Sequence, residues 1–184
     1  VKDVVVRVFG IDLVEAEREG RLVILYHIIA MIVVAIETYM ITALLPMKEY
    51  LKVVINSTIT VGYQAAVFGG LPFAYWGHNW AFHGIYIAGL SLIFFAGCTL
   101  LYALWPWRKE YRITDNAYAH TRKGVNLERV AFFTMTATTL ISALFGAIPG
   151  SFFGNGFTAF LAENVVRTPH KTIFDLSVIG HLHI

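Results

Sequence analysis

Charge is what this sequence has least of. Only 14% of its 184 residues are Asp, Glu, Lys or Arg, against about 25% in a soluble domain. The net charge is +2 and no basic block occurs, which excludes the electrostatic footprint of a nucleic-acid-binding protein. Cysteine is nearly absent: Cys98 stands alone in an apolar stretch, so no disulfide framework exists, and the residue reads as a small packing group. The Cys-x-x-Cys-His motif that attaches haem covalently is missing, as are a thiolate cluster, a zinc-ligand spacing, a phosphate-binding glycine loop and a Gly-x-Ser-x-Gly elbow. Residues 1–21 hold five acids (Asp3, Asp12, Glu15, Glu17 and Glu19) and no apolar core. They do not read as a signal peptide.

What is present is apolar: 57% of the residues are hydrophobic and the mean hydropathy is +0.64. The expected fold is an all-α, polytopic transmembrane helix bundle in a single domain covering residues 1–184. Residues 1–21 alternate valines and charges and read as an interfacial segment. Spans are expected over residues 22–45, 53–71, 76–105 and 128–149, with a partial fifth over 172–184. Pro46 stops the first. Asn56, Thr58, Thr60 and Gln64 make the second a helix that faces protein rather than lipid. Trp76, Trp80, Trp105 and Trp107 bracket the third as interfacial anchors. Thr134, Thr136, Thr138 and Thr139 line the fourth. Thirteen helical residues reach roughly 20 Å, short of a hydrocarbon core of roughly 30 Å. The expectation is that the sequence is a piece of a longer chain.

The chemistry is carried by histidines in apolar surroundings. Intramembrane ionisable side chains are costly and mark function by default. With the N-terminal side called side A, His27, His83, His181 and His183 all fall in the same half of the membrane, roughly 9 to 18 Å deep at 1.5 Å per residue. A haem held by imidazoles from facing helices requires such a match in depth. His181 and His183 diverge by about 200° on a helix, so they cannot easily share one ligand plane and could serve two separate centres. Gly84 beside His83 and Gly180 beside His181 would admit a flat macrocycle. His83 is a ligand or an interhelical hydrogen-bonding group. His78 and His170 read as propionate or edge contacts, and His120 as a surface residue. Glu37, deep in the first span, is expected to be protonated, paired, or part of a proton or quinol path. Asp175 pairs with Lys171 at i, i−4 or acts with the histidines. Arg21 and Arg167 serve as propionate contacts or as snorkelling anchors.

Lys2, Arg7, Arg18, Arg21, Arg167 and Lys171 lie on side A, and Lys48, Lys52, Arg108, Lys109, Arg112, Arg122, Lys123 and Arg129 on side B. The excess on side B makes it cytoplasmic, and places the histidines towards the outer face of an inner cell membrane.

The order of these motifs resembles subunit I of the haem–copper oxidase superfamily, the oxygen reductases and related nitric-oxide reductases. The resemblance rests on His27 in the first span, on Gly77-His78-Asn79-Trp80-Ala81-Phe82-His83 opening the third, and on Gly180-His181-Leu182-His183 in the last. It implies haem b as cofactor, with two haems expected. His27 and His183 would hold the low-spin haem and His181 the high-spin haem; in the alternative alignment His181 matches a copper ligand. The family's His-His copper pair is not recognisable, so copper stays an open cofactor. The implied partners are other membrane subunits and a quinol or cytochrome donor. The implied function is an oxidoreductase-type membrane subunit that passes electrons through bis-histidine haem towards an oxygen- or nitric-oxide-reducing centre. Three other readings stand beside it: a dihaem cytochrome b anchor of a quinol dehydrogenase, a proton- or metal-coupled transporter subunit, and a purely structural membrane subunit whose histidines only link helices.

Overall fold

A computed structural model describes residues 18–76, 79–111 and 124–152, with side chains from Ile24 to Ala147 within those ranges. Four long helices account for nearly all of them: α1 (Arg18–Leu44), α2 (Glu49–Trp76), α3 (Trp80–Ala103) and α4 (Leu127–Phe152). A short 3-10 turn, Lys109–Tyr111, follows α3. No strand occurs among the described residues. Three stretches are long and apolar enough to cross a membrane: Ile24–Leu44, Trp80–Ala103 and Leu127–Ala147.

The helix ends follow local chemistry. Asn79 caps α3, its Oδ1 accepting from the Ala81 N–H at 2.8 Å, and Asn126 does the same for α4 towards the Arg129 N–H at 3.1 Å. Gly124, at φ 65°, makes the turn into that cap. Three helices run further than expected, α1 beginning at Arg18 within the segment read as interfacial. α2 begins at Glu49 and passes through Pro72 to Trp76, because Phe73 and Ala74 are buried in the core and hold the last turn in place. Trp76 therefore ends α2 rather than opening α3. α4 likewise continues past Pro149 to Phe152.

α2 is the central helix, packed most closely on α3 and next on α1, whereas α4 rests sparsely on α3. Lipid-soluble helices gain nothing from excluding water inside a bilayer, so they associate through close packing and interhelical hydrogen bonds. The α2–α3 seam is built for closeness. Gly62, Ala66 and Gly70 recur at four-residue spacing on α2, with Gly69 beside them, and face Tyr86, Gly89 and Ile93 of α3. A Cβ on Gly89 would lie 2.4 Å from the Ala66 nitrogen and 2.7 Å from the Gly62 oxygen. Both are backbone atoms, so nothing can give way.

The α1–α2 seam is polar at mid-helix. Thr42 donates to Asn56 Oδ1 at 3.0 Å, and the Tyr39 and Thr60 hydroxyls bond each other. The expectation that α2 faces protein thus holds at Asn56 and Thr60, while Gln64 is exposed. Cys98 is exposed rather than packed. The tryptophans Trp76, Trp80, Trp105 and Trp107 are all exposed, two at each end of α3, as interfacial anchors are. At the side B end, Trp105, Trp107 and Phe133 form an edge-to-face cluster.

Candidate functional site

α1 buries a stripe made of Ile24, Ile28, Met31, Ala35, Thr38 and Thr42, the three- and four-residue spacing of one helix face. His27 sits beside that stripe, half-buried, with the Tyr26 ring edge-on at 5.9 Å. Packing against α2 leaves this flank of α1 partly uncovered. His83 is placed differently. Its ring stacks on Phe73 of α2 at 5.1 Å and on Trp80 of its own helix at 5.8 Å. These aromatic contacts fix its plane and tie the first turn of α3 to the last turn of α2. Beside it, Gly84 opens outward: a Cβ there would meet nothing within 4 Å. Internal packing does not require this glycine.

Glu37 is exposed on another flank of α1. It borders a broad, open groove whose other wall is the α4 face of Ala131, Thr134, Met135, Thr138 and Thr139. The threonine hydroxyls all donate back to their own helix: Thr134 to Val130 O at 2.9 Å, Thr138 to Thr134 O at 2.8 Å and Thr139 to Met135 O at 3.0 Å. Their hydrogens are committed, and only oxygen lone pairs face the groove. The threonine wall of the groove therefore presents acceptors.

Among the described residues no group of three or more His, Cys, Asp or Glu side chains gathers as a metal site. His78, His120, His170, Arg167, Lys171, Asp175, Gly180, His181 and His183 lie outside the described residues, and the Arg21 side chain is likewise undescribed. His27 and Glu37 lie on α1 and His83 on α3.

Sequence reasoning missed the most constrained charged residue. Arg129, counted above among the side B cations, is 1% exposed. Its guanidinium donates to Ala103 O at the C-terminus of α3, at 2.8 Å, and to Pro46 O in the α1–α2 connection. It also lies 3.7 Å over the Tyr111 ring. One cation thereby satisfies the Ala103 carbonyl, at the negative end of the α3 dipole, and a carbonyl of the α1–α2 connection. The available signal was its place three residues after Asn126, inside the first turn of an otherwise apolar helix. Being internal, Arg129 does not act as a loop cation, and the charge excess on side B shrinks accordingly.

Comparison with family models, with curated proteins and with solved structures finds no match to this chain.

Proposed function

We propose that this chain is a haem-binding membrane subunit of a redox complex, with α1 to α4 crossing the bilayer and His27 supplying an axial imidazole. The observation that carries this reading is the placement of His27: within a long apolar helix, off the stripe that packs against α2, and half-buried. The second ligand would come from His183, with His181 serving another centre, as the resemblance to haem–copper oxidase subunit I implies. His27 stands half-buried beside the packed stripe of α1, and an added Cβ at Gly84 would meet nothing within 4 Å. Bound haem would supply a one-electron relay between a quinol or cytochrome donor and a partner subunit. His27 and His183 would hold it, and their burial would set its potential. His83, stacked on Phe73 and Trp80, positions the α2–α3 corner rather than a ligand.

The pyridine haemochrome of the purified chain tests this. A b-type spectrum supports it, and absence of haem overturns it. Carbon monoxide then separates an oxidase-like site, with a high-spin haem that binds the gas, from a dihaem anchor whose bis-histidine haems do not. A second reading, a proton-coupled transporter subunit, is favoured by the acceptor-lined groove at Glu37. It predicts no haem, and loss of proton uptake into vesicles when Glu37 is replaced by Gln.

A further inference from the structure

Glu37 is the sole Asp, Glu, Lys or Arg in the apolar stretch Ile24–Leu44. It stands about 20 Å from one end of that stretch and about 10 Å from the other, at 1.5 Å per residue. Its side chain is exposed, and among the described residues it makes no hydrogen bond or ion pair. A carboxyl group within a bilayer is held by a partner or by a wet cavity, not by lipid. This chain offers it no lysine or arginine at that depth. Of those residues only Arg129 falls within the three spanning stretches, and its guanidinium is committed to Ala103 O and Pro46 O.

The surroundings have the shape of a helix. The groove wall facing Glu37 is made of Ala131, Thr134, Met135, Thr138 and Thr139 of α4. Their three- and four-residue spacing is one helix face, followed over about 12 Å. Only 6% of the spanning window of α4 is buried, against 33% for α1 and 22% for α3, so α4 has room for a further neighbour. Back-bonding to their own helix commits the hydrogens of Thr134, Thr138 and Thr139 and leaves their oxygens able to accept.

We infer that the groove between α1 and α4 is the docking site for a transmembrane helix of a partner subunit, and that this helix carries a lysine level with Glu37. Charge complementarity selects the lysine. Its bond to Glu37 forms whichever of the two holds the proton: an ammonium donates to a carboxylate, or a carboxylic acid donates to an amine. In either form N–H groups remain for the threonine oxygens. Lysine exchanges its proton readily when buried, whereas arginine does not. The inference extends the haem reading by naming the face at which another subunit joins. It rests on that reading only for the placement of α1 and α4 in the bilayer.

Energy transfer in phosphatidylcholine vesicles tests it. The full chain carries an acceptor dye on Cys98, its single cysteine, which is exposed. A synthetic apolar helix of about 20 residues carries the donor dye and one lysine, glutamine or leucine at the depth of Glu37. The lysine helix is expected to associate about tenfold more tightly than the leucine helix, the strength of one or two hydrogen bonds between model helices. Glutamine falls between them. In Glu37→Leu the three helices associate alike. Thr134→Val combined with Thr138→Val, which leaves Glu37 in place, cuts the lysine advantage by about threefold. Equal association of the lysine and leucine helices, a glutamine helix that matches lysine, or a lysine advantage retained in Glu37→Leu would each overturn the inference. The readout needs no haem, so its failure and the absence of a haemochrome are separate results.

Discussion

At the scale of single residues, the structure concentrates its constraints on Arg129 and Gly89. Removing the Arg129 side chain strands the buried Ala103 O and takes the partner from Pro46 O, and each hydrogen bond to a charged donor contributes about 1.5–3 kcal/mol. Arg129→Met is therefore expected to destabilise the bundle by about 3 kcal/mol, read as a fall in thermal midpoint in detergent. Arg129→Lys should recover only part of this, since a point ammonium cannot span two carbonyls as a planar fork does. The two glycines Gly84 and Gly89 make a sharper pair. Gly89→Ala forces a Cβ into the backbone of α2 and should cost about 3 kcal/mol by overpacking. Gly84→Ala meets open space and should leave the unfolding midpoint unchanged. If a macrocycle does lie against that surface, the same substitution shifts its absorbance.

Among elements, the seams differ in kind, and so do their expected sensitivities. The α2–α3 seam depends on backbone proximity. The α1–α2 seam depends on hydrogen bonds between side chains, Thr42 to Asn56 and Tyr39 to Thr60. Such bonds average about 0.6 kcal/mol in membrane proteins. A double-mutant cycle of Thr42→Val and Asn56→Leu should return a coupling near that value, well below the cost of Gly89→Ala. The helices themselves were legible from apolar run length, since spans at 22–45, 76–105 and 128–149 overlap α1, α3 and α4. Their ends were less so. The second span was expected to end at Leu71, but tertiary packing of Phe73 and Ala74 carries α2 onward. The Gly62-Ala66-Gly70 spacing was visible and went unread beside the more conspicuous polar groups of the same helix.

For the whole molecule, the described helices form a layered bundle whose side B end is locked by Arg129 and whose α1–α4 side stays open. The histidines were legible as costly residues in apolar runs. What distinguishes them was not, because pattern alone cannot tell His83, stacked on two aromatic rings, from His27, left at the edge of a packed stripe. That distinction gives the central claim its most direct test: reduced-minus-oxidised spectra of the purified chain, compared with His27→Ala and His83→Ala at equal protein. The account predicts that His27→Ala loses the low-spin b-type absorbance, while His83→Ala keeps it and lowers only thermal stability. Full low-spin absorbance in His27→Ala, or equal loss in both variants, would contradict it.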